Sequence, residues 1–267
     1  MSSIDSPTIS KTNASLNSNP IGSNPYKTIT YSGDGNEYVI IDNHKYLRHE
    51  LMQAFGGTLN PGLSPPPVHQ FGNASALGLA SFSVTTFVLA LYLIGAKGIA
   101  IPNVVVSLCF FYGGAVEMLA GIWELVIGNT FAGTVFTSFG TFWIAYGSIF
   151  VEAFGIQAAY ADEPEQFGNA VGFFILGWAI FTFLLLTCTI KATVGLAGLF
   201  LTLDIAFFLL SAANMTGNAT ATKAGGAFAL ISSIFGFYNM YAGIANETNV
   251  YIMPLPLQLP VYEKNKH

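Results

Sequence analysis

Three carboxylates interrupt what are otherwise long apolar runs: Glu117, Glu124 and Asp204. A carboxylate at the centre of a membrane helix costs about 2.5–3.5 kcal/mol on insertion scales, so each is expected to face the protein interior or water. Glu117 and Glu124 are seven residues apart, close to two helical turns, and therefore share one face. Gly114 and Gly121 fall on that face at offsets of three and four, giving a narrow polar stripe that a neighbouring helix can approach closely. Two readings fit Glu117: a packing seam with the carboxyl hydrogen-bonded to a neighbour, or a stage in a proton or cation relay. Asp204, among Leu203, Phe207 and Phe208, joins Glu117 in the relay reading. Glu124 stands beside Trp123 near the end of its run and fits an interfacial structural residue.

No lysine or arginine lies deep in these runs. A site that clamps an anion tightly ordinarily supplies one. An anionic ligand must instead meet hydroxyls, amides or helix N-termini. Small, weakly held or transiently protonated species suit such a lining. A monocarboxylic acid of pKa ~4–5 is one, because its neutral form crosses an apolar gate far more cheaply than its anion. The four histidines (His44, His49, His69, His267) fall outside the apolar runs, and Cys109 and Cys188 fall inside them without metal-ligand spacing. No nucleophile–base pair is legible either, so neither enzyme chemistry nor a metal or other cofactor is expected.

The elements that must position these groups follow from composition. Of 267 residues, 52% are hydrophobic and 9% charged, against about 25% charged in soluble domains. Nine of the 23 Asp, Glu, Lys and Arg residues precede residue 73, so the remainder is poorer still. This excludes a soluble enzyme, a nucleic-acid binder and a disordered chain, and leaves an integral membrane protein in a lipid bilayer. Six windows of about 20 residues can cross a hydrocarbon core: 74–94, 104–126, 131–151, 168–190, 192–213 and 224–245. Continuous apolar runs favour helices over the alternating segments of a barrel. The expected architecture is an all-α membrane protein of six transmembrane helices enclosing a pore, over 71–250.

Residues 1–70, rich in Ser, Asn, Pro and Gly, are expected to be a polar and largely disordered cytoplasmic tail. Within it, Lys45 to Phe55 can form a short amphipathic helix, and Pro65-Pro66-Pro67 an extended lead-in. Residues 251–267 are read as a short cytoplasmic tail. With both termini inside, seven Lys and Arg residues face the cytoplasm and two, Lys97 and Lys223, face outward. The acidic stretch between the third and fourth windows, with Asp162, Glu163 and Glu165, then lies outside, as do the Asn214 and Asn218 glycosylation sequons. The stripe Phe139, Phe142, Trp143 and Tyr146 reads as packed core.

The run Phe71-Gly72-Asn73-Ala74-Ser75-Ala76-Leu77-Gly78-Leu79 resembles the signature NPAPLGL of the acetate uptake transporter family. That family includes fungal ammonia-transport-outward and glyoxylate-pathway-regulator proteins and bacterial succinate–acetate permeases. Phe111-Tyr112-Gly113-Gly114, Gly128-Asn129-Thr130-Phe131, Thr137-Ser138-Phe139-Gly140-Thr141-Phe142-Trp143 and Leu176-Gly177-Trp178 continue the likeness in order. The resemblance implies a six-helix protomer with its own pore, assembled as a homo-hexamer. Its implied activity is proton-coupled passage of acetate and related short monocarboxylates across the plasma membrane. It also implies a hydrophobic constriction at Phe82, Phe139 and Leu203, and a substrate pathway through Asn73, Leu77, Thr85, Thr86, Tyr112 and Ser138. Three departures stand out. Ala74 and Ala76 replace both prolines, Phe139 replaces the constriction Tyr, and Glu117 and Asp204 are carboxyls that the family pattern lacks. Two rival readings stay open: an ammonium or ammonia exporter on the same fold, and a non-conducting membrane sensor or scaffold.

Overall fold

The computed structural model describes residues 29–33, 37–41, 44–48, 50–51, 71–99, 101–255 and 257–259, in two units, Met1–Gln70 and Phe71–His267. In the first unit, strands β1 (Ile29–Ser32), β2 (Tyr38–Ile41) and β3 (His44–Leu47) form an antiparallel meander. The register sets Ile29 opposite Ile41 and Ile41 opposite His44. The Lys45 ammonium sits 3.7 Å from the Tyr38 ring centroid, and the Arg48 guanidinium 5.5 Å from that of Tyr31. The helix expected from Lys45 needs correction at its start. Residues 45–47 pair in a strand, and helical backbone begins only at Arg48. Cross-strand pairing with the β-prone run Tyr38-Val39-Ile40-Ile41 outweighs local helical periodicity. The triple proline lies outside the described residues.

The second unit is built from six long helices: α1 (Ala74–Leu93), α2 (Val104–Val126), α3 (Thr130–Ile149), α4 (Pro164–Thr189), α5 (Val194–Thr216) and α6 (Ala219–Ile244). Five are long and apolar enough to cross a membrane. The remaining one, α3, has no charged residue, but Thr, Ser and Gly fill nine of its 20 positions. Half of its residues are buried, so its less apolar surface is spent on protein contacts. Neighbours pack in the order α3, α2, α1, α6, α5, α4. Aromatic rings close the circle from α3 to α4, with Phe139 against Trp178 at 5.9 Å and Phe142 against Phe174 at 5.9 Å. The core is the inner lining of this ring, where Phe82, Phe139, Phe142, Trp143, Leu203 and Phe207 meet.

Close helix approach explains the glycines. A Cβ on Gly121 would stand 2.2 Å from the Thr137 backbone nitrogen, and one on Gly140 would stand 2.5 Å from that of Met118. The stripe predicted on α2 is therefore the face packed on α3, with Gly114, Glu117, Gly121 and Glu124 all buried. Within α2, Phe111–Val116 winds as a π-helix, a local widening often found beside functional positions.

Several boundaries differ from expectation. Helix α4 starts at Pro164, with Glu165 in its first turn. A proline there loses no hydrogen bond, and an acidic residue meets the positive end of the helix dipole, so part of the presumed loop is helix. The α5–α6 link is only Gly217 and Asn218. The Asn218 side chain accepts hydrogen bonds from the Thr220 and Ala221 backbone N–H groups, and the Asn214 amide donates to the Leu210 carbonyl. Both sequon side chains thus bond helix backbone, Asn218 through Oδ1 and Asn214 through Nδ2. Within the C-terminal stretch, described residues 252–259 are bonded to the helices. Val194 N–H donates to the Leu257 carbonyl, Leu259 N–H to that of Ala192, and the Tyr238 and Tyr241 hydroxyls to the carbonyls of Leu255 and Ile252.

Candidate functional site

Helices α1, α3 and α5 begin at the same end of the ring, called the lower end here. Their N-caps are Asn73, Asn129 and Thr193. All three caps line a cavity of about 290 Å³. The caps point to one space because the up-and-down topology starts every odd helix at that end. Three N-termini bring partial positive charge without a cation, which favours an anion. Asn129 Oδ1 accepts from Ala132 N–H (3.3 Å), and Thr193 Oγ1 from Leu196 N–H (3.2 Å). Asn73 instead donates its amide to the Gly243 carbonyl (3.0 Å), tying the start of α1 to the end of α6. Ser75 and Asn239 add polar atoms, and Phe136, Phe200, Leu196 and Leu199 supply apolar wall.

Farther up, a second cavity of about 40 Å³ has room for little more than one water, whose share of the liquid is about 30 Å³. Its wall is almost entirely apolar, with Thr86, Leu89, Phe142, Trp143, Tyr146 and Phe207 among its members. Three residues line both cavities: Phe82 of α1, Phe139 of α3 and Leu203 of α5. The Phe82 and Phe139 ring centroids are 6.4 Å apart, and Phe139 also stacks on Phe207 at 6.3 Å. Three side chains from three helices thus stand as an apolar neck between two spaces.

Glu117 is fully buried and is the one ionisable residue on the lower cavity wall. Neither carboxylate oxygen meets the distance and angle of a full hydrogen bond with a described residue, and the Trp143 indole N–H is the donor that acts on it. Of its two sequence readings, the packing seam is present, with Gly121 and Gly140 pressing α2 on α3, and the relay reading is taken up below. Glu124 is the satisfied one: Asn129 Nδ2 donates to its Oε2 at 2.6 Å. Asp204 is buried, with Oδ1 unpartnered, but lies on neither cavity wall. Next to Leu203 on α5, it points about 100° away from the neck, toward the flank that carries Ser211, whose hydroxyl bonds the Gly172 carbonyl of α4 at 2.8 Å. The structure therefore does not join Asp204 to Glu117 in one chain.

The other pathway residues divide. Asn73 lines the lower cavity and Thr86 the upper. Thr85 is buried behind them, against Gly113 of α2. Leu77, Tyr112 and Ser138 line neither. Leu77 sits on the opposite side of α1 from the lining residues Leu79 and Thr86 and borders an outer groove with Leu119 and Trp123. Sequence reasoning missed Asn239, Thr193 and Phe200. The first was legible as an amide inside an apolar run, and the second as a cap at a helix start.

A ring of apolar helices around an interrupted internal passage defines a multi-pass membrane protein of the transporter class. The chain belongs to the GPR1/FUN34/yaaH family, which it matches over residues 55–261, in agreement with the motif likeness. It is 51% identical to ammonia transport outward protein 2 of Saccharomyces cerevisiae over 233 residues, covering 87% of this chain and 83% of that one. Acetate permease A of Emericella nidulans is 40% identical over 225 residues, covering 80% and 76%. The structure of the bacterial acetate channel SatP superposes with a TM-score of 0.61 at 30% identity, covering 67% of this chain and 96% of that one.

Proposed function

We propose that this chain carries acetate and related short-chain monocarboxylates across the plasma membrane together with protons. All six helices span the bilayer, both termini are cytoplasmic, and six protomers assemble with one pathway each. The carrying observation is the shared wall of Phe82, Phe139 and Leu203 between a lower cavity ringed by three helix N-caps and a nearly dry upper one. An anion is drawn to the caps, and its protonated form passes the neck without the cost of moving a charge through it. The relatives named acetate permease and acetate channel support the same cargo. Glu117, on the cavity wall beside the neck, holds and releases the coupled proton. Labelled acetate uptake into proteoliposomes, with and without an inward proton gradient, tests this. Gradient-stimulated uptake above empty vesicles is expected, and uptake equal to theirs under both conditions overturns it.

One observation favours a second cargo. A carboxyl on a cavity wall shared with Phe82, Phe136 and Phe139 suits a small cation such as ammonium, in keeping with the name of the yeast relative. Ammonium flux that falls in Glu117→Gln while acetate flux persists would select that reading.

A further inference from the structure

We propose that protons pass the neck by a side route of their own, a column of buried polar atoms at the α1–α2–α3 junction centred on Glu117. This deepens the transport reading above and rests on it for the cargo, but not for the proton path.

The column is defined by what is left unbonded. Seven buried side-chain polar atoms among the described residues have no hydrogen-bond partner. Six belong to Thr85, Thr86, Glu117, Thr137 and Trp143, residues of α1, α2 and α3; the seventh is Asp204 Oδ1. Buried polar groups are bonded in the great majority of cases, so their gathering at one helix junction is a built feature. Helix pairings fix the order along the axis. Gly121 meets Thr137, Met118 meets Gly140, and Gly113 meets Thr85. In antiparallel helices these pairings set Glu117 level with Phe82 and Phe139, the neck itself. Thr137 lies about one turn below, and Thr85 one turn above. The column thus runs behind the neck rather than through it.

Both ends open where a proton route requires. Glu117 lines the lower cavity, while Trp143 and Thr86 line the upper one. A proton from lower-cavity water adds to the Glu117 carboxylate, giving the neutral acid. It then leaves to a water beside the Trp143 N–H, and passes by way of the Thr86 hydroxyl to the water that the upper cavity has room for, which takes it up as hydronium. Hydroxyls both donate and accept and so can relay a proton, whereas the indole only donates and orients. No other charged group competes. The titratable residues of the packed helices are Tyr92 on α1, Tyr146 on α3, and Cys109, Tyr112 and Glu124 on α2, the last bonded by Asn129.

The test uses the full chain in proteoliposomes with trapped pyranine and no weak acid, protons being driven inward by a potassium gradient and valinomycin. Wild-type vesicles should acidify several-fold faster than empty ones. Glu117→Gln should fall to the empty rate. Thr86→Val, which exchanges a hydroxyl for a methyl at the upper end, should slow acidification at least threefold. Leu203→Trp, which fills the neck but not the column, should keep the proton rate within twofold while labelled acetate uptake drops at least tenfold. Wild-type acidification no faster than empty vesicles, an undiminished rate in Glu117→Gln, or parallel loss of protons and acetate in Leu203→Trp would each overturn the side route. Proton movement without any wild-type acetate uptake would leave it standing and sink the transport reading instead.

Discussion

Glu117 and Glu124 lie on one face of one helix, two turns apart, yet they occupy opposite environments. Around Glu124 the chain turns tightly from α2 to α3, and Asn129 both caps α3 and donates to the carboxylate. Around Glu117 the same seam is pressed close by Gly121 and Gly140, and no such partner is supplied. Carboxylates buried with equal completeness thus stand in different surroundings. The first fastens a corner, and the second is left without such a bond. Burial alone does not separate the two, whereas the accounting of their oxygens does.

The seam common to both acids should be the most sensitive point. Gly121→Val places a side chain against the Thr137 backbone, which cannot yield without parting α2 from α3. Loss of monodisperse protein on detergent size exclusion is expected, and normal folded yield would contradict it. Next comes the fastened corner. Asn129→Ala leaves the Glu124 carboxylate orphaned, at about 1–3 kcal/mol, and removes an N-cap worth about 1 kcal/mol. A marked fall in the thermal midpoint should follow. Glu117→Gln is the counterpart: with no bond of full geometry to lose, its midpoint should match or exceed the wild type while its proton movement fails. If the two substitutions destabilise equally, the contrast between the acids is wrong. The smallest effect should come from Asn218→Ala, which removes a surface cap of α6 for about 1 kcal/mol and leaves both acids as they are.

Much of this was legible before any coordinates. The seven-residue spacing gave the buried face of α2, and the missing cations pointed to amides and helix ends, which do line the lower cavity. The three neck residues, carried over by resemblance, share one wall. What stayed hidden depends on partners distant in sequence. Periodicity alone cannot tell that Asn129 closes a hydrogen bond on Glu124 while Glu117 has none of full geometry. Asp204 looked equivalent to Glu117 because both are acids in greasy runs, yet a rotation of about 100° from Leu203 takes it off the passage. The start of α4 was missed because Pro164 punctuates a loop and opens a helix equally well. The meander was missed although Ser32-Gly33-Asp34-Gly35 and Asp42-Asn43 carry turn chemistry between β-prone runs.

The backbone bonds from Leu257 and Leu259 to the α4–α5 corner have a mechanical corollary. That corner carries Thr193, a rim residue of the larger chamber, so the far end of the polypeptide acts as a drawstring on the chamber's mouth. Tension applied beyond residue 259, by a fused tag or a docked partner, would load Thr193 first.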